Sequence, residues 1–188
     1  MLSGRRLDIL DPSPLDIEIE DIAHGLARVA RWNGQTEGAH PFSVAQHSCL
    51  VEAIAVEVEP TLQRTSRLAA LLHDAPEYVV GDLISPFKAA IGTLYREVEA
   101  RLEQATHLRF SIPPDPDGSR RRFIKAADTV AAYHEAVALA GFSPQEAGAI
   151  FGKPDTDAAA FVEFLTPWTT AVAEDRFLTR FRALERGD

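Results

Sequence analysis

Cysteine is nearly absent from this chain of 188 residues: Cys49 stands alone. A single thiol cannot close an intramolecular disulfide, so no disulfide framework supports the fold, and a reducing compartment suits the chain. Basic residues are also scarce. Nineteen Lys and Arg face twenty-eight Asp and Glu, for a formal net charge of -9. That balance argues against binding along a nucleic-acid polymer, which needs clustered cations. It leaves small phosphorylated ligands open, because a bound metal can supply local positive charge. No apolar run reaches the roughly 18 residues of a membrane span, and the opening MLSGRRLDILDP lacks the apolar stretch of a signal peptide. The expectation is a cytoplasmic protein with no membrane role. Against these absences, 46% of the residues are hydrophobic and 25% charged, which is ordinary for a soluble domain with a sizeable core.

The patterning is helical. Gly4, Pro12 and Pro14 punctuate the N-terminal segment, where the alternation Leu7-Asp8-Ile9 allows at most a short strand. Ile19, Ile22, Leu26 and Val29 then fall at spacings of three and four, with Glu18, Glu20 and Asp21 suiting a first helical turn. Ser43 is placed to cap a second helix that carries Val44, His47, Val51 and Ile54 and stops near Pro60. A third is predicted from Thr61 through His73 and Asp74, with a kink or early end at Pro76. A fourth spans about 87–108. The segment 113–118, rich in proline, is the clearest loop. A long helix follows through Asp128 to Ala140 and is closed by Gly141. A short helix lies near Gln145, and the last is expected over about 157–184 with a bend at Pro167. The fold expected is all-α: a compact helical bundle and a single domain over 1–188, its motif-bearing core at about 18–141 and a helical extension at 142–188.

Four residues carry the chemistry: His47, the adjacent pair His73-Asp74, and Asp128. Imidazole and carboxylate are the ligands that Zn, Mn, Co, Fe or Mg accept, and these residue types do not distinguish among those ions. His73 and Asp74 follow Leu68-Ala69-Ala70-Leu71-Leu72, and Asp128 follows Phe123-Ile124-Lys125-Ala126-Ala127. Ionised carboxylates in such surroundings are costly unless paired or metal-bound. Neighbours on a helix point about 100° apart, so His73 and Asp74 share one ion only if it sits astride their helix. The bland rival is a helix-end pair in which Asp74 orients His73 or caps a turn.

This order of residues, one His, then His-Asp, then a distant Asp, resembles the HD-domain metal-dependent phosphohydrolases. Further blocks resemble the subgroup holding bacterial 5′-deoxynucleotidases and phage dATP triphosphohydrolases. These are Arg31-Trp32, Ser43-Val44-Ala45-Gln46-His47-Ser48, Leu71-Leu72-His73-Asp74-Ala75-Pro76-Glu77, Gly81-Asp82 and Pro86-Phe87-Lys88. The resemblance implies hydrolysis of nucleotides, with His47, His73, Asp74 and Asp128 holding a divalent ion. It places Glu77 and Asp82 as catalytic acids, with room for a second metal beside them. Arg31 and Lys88 would grip phosphate, where the guanidinium offers a forked donor set, and Trp32 would lie near the sugar or base. Each assignment has a plain alternative: solvated acids, a surface ion pair for Arg31, an exposed Lys88, and Trp32 as a packing aromatic.

Whether phosphate leaves monophosphates or tripolyphosphate leaves triphosphates is not written in these motifs. A catalytically silent metal- and nucleotide-binding sensor, or a phosphohydrolase of another substrate, stays open beside them. Di-iron oxygenases of the superfamily need more histidines than the lone His107 between His73-Asp74 and Asp128, and cyclic-dinucleotide phosphodiesterases need a Gly-Tyr-Pro absent here. Relatives self-associate, so a homo-oligomer with a small-molecule nucleotide as its partner is expected.

Overall fold

A computed structural model describes residues 1–187, and among them the architecture is all-α. The helices are α1 (Ile19–Leu26), α2 (Val44–Val58), α3 (Arg64–Leu71), α4 (Glu77–Val80), α5 (Ser85–Ile91), α6 (Thr93–Arg109), α7 (Ser119–Ala138), α8 (Pro144–Phe151) and α9 (Thr170–Arg186). The pairing nearest to a strand among the described residues is an isolated antiparallel bridge between Ala30 and Ser43, and residues 7–9 form no strand.

The middle of the bundle is α2. Its first nine residues are all buried, so it is enclosed on nearly every side, as a central helix must be. It packs against α3, α7 and α9. Ser43 caps it as expected, its hydroxyl accepting from the Gln46 amide at 3.2 Å. The polar side chains it carries inside have separate partners. Gln46 donates to the Phe164 and Thr166 carbonyls and accepts from the Trp168 amide, which fastens the irregular stretch before α9. Glu52 is held by Arg67 and Arg180. His47 faces the site described below. Along α9, Ala173, Phe177, Phe181 and Leu184 are buried at helical spacing, so the C-terminal part closes the same core as α2.

Helix ends depart from the sequence expectation in four places. The first helix stops at Leu26, and the chain then runs antiparallel to residues 42–44, with the Arg31 amide donating to the Phe42 carbonyl at 2.8 Å. The third helix stops at Leu71, so His73 and Asp74 sit in the turn over 72–76 and not on the helix. Pro76 is the physical reason. In a continued helix its amide would donate to the Leu72 carbonyl, but proline has no N–H and its ring crowds that oxygen. The expected fourth helix is two, α5 and α6, divided at Gly92, whose φ of 85° lies in the region glycine enters without a Cβ clash. The expected last helix is a short 3-10 turn at Ala158–Phe161 and then α9, with Pro167 in the break between them.

Candidate metal centre

Three segments bring the predicted ligands together: the first turns of α2, the turn at Pro76, and the middle of α7. His47 Nε2 lies 3.3 Å from His73 Nε2, 3.4 Å from Asp74 Oδ2 and 3.3 Å from Asp128 Oδ1, and His73 Nε2 lies 3.2 Å from Asp74 Oδ2. The turn resolves the angular difficulty, since adjacent residues in a tight turn need not diverge as they do on a helix. His47, His73 and Asp128 each offer one ligand atom, all within 4.8 Å of one another.

The far nitrogens of both rings are occupied. His73 Nδ1 is 2.8 Å from the Ala70 carbonyl and His47 Nδ1 is 2.5 Å from Glu135 Oε1. Both partners accept, so Nδ1–H is the donor in each ring, and Nε2, when it carries no proton, turns a lone pair into the cluster. Two lone pairs and two carboxylate oxygens then converge on one point. Such a set needs a cation, and its composition suits a divalent one. Without a metal, a proton on His47 meets that need. Burial and Arg31 press the His47 pKa down, but Glu135, Asp128 and Asp74 outweigh them and hold it well above 6.5. Burial raises Asp74, yet His73 and His47 hold it well below the ordinary carboxylate range; burial and His47 act on Asp128 in the same way.

Of the remaining predicted residues, Arg31 touches this cluster, Trp32 reaches it through Glu135, and Lys88 meets the Glu77 carboxylate. The Arg31 guanidinium reaches Glu135 Oε2 through Nε at 3.0 Å and Asp74 Oδ2 through Nη1 at 3.6 Å. Trp32 donates its indole N–H to the same Glu135 Oε2 at 2.9 Å, and its ring packs on Phe142 and Phe151. Glu77 is almost fully buried; its Oε1 receives Lys88 Nζ at 3.1 Å, and its Oε2 is buried without a hydrogen-bond partner. Burial first, then Asp74 and Asp82, pushes the Glu77 carboxyl up to about 8. Burial likewise raises Asp82. Lys88 also donates to Glu99 Oε1 at 3.1 Å, so it ties α5 to α6.

A cavity of about 880 Å³ opens from the cluster, lined by His73, Asp74, Glu77 and Asp128 at one end and by the facing sides of α6 and α7 beyond them. Its size lies within the range of small-molecule sites. Two residues here were missed from sequence. Lys125, which lines the cavity, places Nζ 2.7 Å from Asp128 Oδ2. Glu135 is fully buried. Its signal was available: it stands two helical turns after Asp128, in an apolar stretch that would not hold an unpartnered acid.

The family model for YfbR-like 5′-deoxynucleotidases matches residues 22–146. The chain belongs to that family. An uncharacterized protein of Rhodobacter capsulatus is 63% identical over 155 residues, covering 82% of this chain and 79% of that protein. The matched region carries His47, His73-Asp74 and Asp128, so the metal-dependent hydrolase resemblance and the helical fold stand together. No helix among the described residues is long and apolar enough to cross a membrane.

Proposed function

We propose that this protein is a divalent-metal-dependent 5′-nucleotidase that releases orthophosphate from deoxynucleoside 5′-monophosphates. The observation that carries the reading is the convergence of His47, His73, Asp74 and Asp128 at the end of an open cavity, in a chain of this family. Those four side chains would hold the ion, which when bound acidifies water and draws charge from a phosphoryl oxygen. Arg31, anchored on Glu135 and Asp74, keeps guanidinium N–H groups for the phosphate. Glu77 is poised near neutrality and borders the cavity, which suits it to orient the attacking water and take its proton. Asp82 would serve the leaving oxygen, with a second metal beside the two acids as part of the same reading. Lys88 opposes the rise at Glu77 in part, while Trp32 fixes the frame next to the nucleoside.

The reading takes 1–188 as one working unit, because α9 in the extension packs against α1, α2 and α3. It includes a reducing compartment, which suits the buried Cys49 thiol that burial raises to about 12. It also includes self-association, which exposed Ile84, Phe87 and Ile91 on one side of α5 and its lead-in support. Product analysis on deoxynucleoside mono- and triphosphates with Co²⁺, Mn²⁺, Zn²⁺ or Mg²⁺ tests the activity. Orthophosphate from monophosphates is expected, with a loss of at least about 100-fold in Asp128→Ala. Tripolyphosphate from triphosphates would replace the reading with a triphosphohydrolase. Bound metal without any product would leave a sensor.

A further inference from the structure

Glu135 has no counterpart among the residues that the sequence motifs single out, yet three of those residues meet on it. It lies two turns beyond Asp128 on α7, so one helix face presents a candidate ligand and, deeper in the core, this carboxylate. Oε1 accepts from His47 Nδ1 at 2.5 Å; Oε2 accepts from Arg31 Nε at 3.0 Å and from Trp32 Nε1 at 2.9 Å. The two oxygens therefore divide their work, one toward the metal cluster and one toward the phosphate and nucleoside side.

We infer that Glu135 is a positioning residue that holds His47 in its metal-binding tautomer and, through the same carboxylate, fixes Arg31 and Trp32 beside the cluster. The inference rests on the metal-centre reading above. Its physical basis is that all three partners are donors, and only a group with two acceptor oxygens satisfies them together. An imidazole bound to metal through one nitrogen is oriented by whatever its other N–H meets, and such outer partners commonly set affinity. A buried carboxylate also offsets the Arg31 charge, which otherwise sits within 3.6 Å of Asp74 and competes with the ion for that oxygen.

Glu135→Gln separates these roles with almost no change of shape. The amide has one acceptor oxygen, and two donors, one of them charged, hold it on the Arg31 and Trp32 side. Its NH₂ then faces His47 Nδ1, which must accept, so the proton moves to Nε2 and the lone pair leaves the cluster. Cobalt titration followed by calorimetry and by the visible Co²⁺ spectrum reads this without any turnover. The metal affinity of Glu135→Gln is expected to fall about 10- to 100-fold. Glu52→Gln is the control: Glu52 is also fully buried on α2 and paired with two arginines, but touches none of the cluster. Its cobalt affinity should match wild type.

Equal cobalt affinity in wild type and Glu135→Gln overturns the positioning role alone. An equal loss in both variants overturns it as well, by assigning the effect to general destabilisation. If wild type binds no cobalt, the metal-centre reading fails and takes this role with it. Should Glu135→Gln not fold, ¹⁵N spectra of the zinc-loaded wild type decide instead. Protonated Nδ1 and metal-bound Nε2 at His47 support the role, and ligation through Nδ1 overturns it.

Discussion

Replacing Glu77 with Gln tests the electrostatics of the site through stability alone, in the metal-free protein. Glu77 has an ordinary carboxyl value of 4.5 when unfolded and about 8 when folded, because burial, Asp74 and Asp82 outweigh Lys88 and Arg31. The folded state thus keeps a proton that the unfolded chain has already lost. Its contribution to stability is fully present below 4.5 and drains away as pH rises through 8. Within that window each pH unit removes about 1 kcal/mol or slightly more, so between about pH 5.5 and pH 7.5 wild type loses on the order of 3 kcal/mol relative to a residue that does not titrate. Gln has nearly the same volume and no proton to lose, and His47 titrates in both proteins, so the difference between the two reads Glu77 together with the response of Asp74 and Asp82 to its charge. Urea unfolding in chelator, at three or four pH values across the window, measures it. Glu77→Gln should gain on wild type steadily with pH, with a melting-temperature gap widening by roughly 5 to 11 °C for a protein of this size. A gap that stays flat from acid to neutral pH would refute a raised Glu77, and with it the group's fitness as a base near neutrality.

Two packing predictions follow from the fold. A Cβ at Gly25 would lie 2.7 Å from Tyr78 Cβ and 3.0 Å from the Tyr78 carbonyl oxygen, so α1 must move off α4. Gly25→Ala should therefore lower the melting temperature, a strain of about 1–3 kcal/mol exceeding the helix-propensity gain of about 1 kcal/mol; a rise would show that the two helices do not approach so closely. Phe177→Ala empties a fully buried site on α9 and should cost about 3–5 kcal/mol by urea unfolding. A cost under about 1 kcal/mol would mean that the C-terminal extension lies outside the common core.

The part of the site legible in the sequence is the part with one-dimensional order. His47, His73-Asp74 and Asp128 stand out because each is a polar interruption of an apolar run, and because their sequence matches a family pattern. Pro76 was legible as a helix breaker, but its consequence was not. Counting from the proline gives an early end, whereas the turn's direction, which lets His73 and Asp74 converge, depends on Ala75 and Leu72 packing into the core. Gly92 was missed, and the break before α9 was foreseen only as a bend at Pro167, for a related reason. The apolar spacing continues across both, and periodicity alone cannot see a glycine in a left-handed conformation or a Gln46 side chain that captures the chain from over a hundred residues away.

Roles among the acids were the least legible, because they depend on surroundings that only the folded chain assembles. Asp74, Asp128 and Glu77 crowd one end of one cavity, and like charges so close cannot all behave alike. The fold separates them by what each carboxylate faces. Asp74 and Asp128 face two imidazoles, and both are held ionised, the state a metal ligand requires. Glu77 faces apolar burial with one oxygen unpartnered, and is pushed toward the protonated state at neutral pH. When two sets of titratable groups in one site are driven in opposite directions, the division supports the two roles proposed for them, the low set binding a cation and the high one moving a proton. A helix-end ion pair, the bland alternative for His73 and Asp74, gives no reason for a third acid to be buried a few residues away with its charge opposed. A hydrolytic centre does.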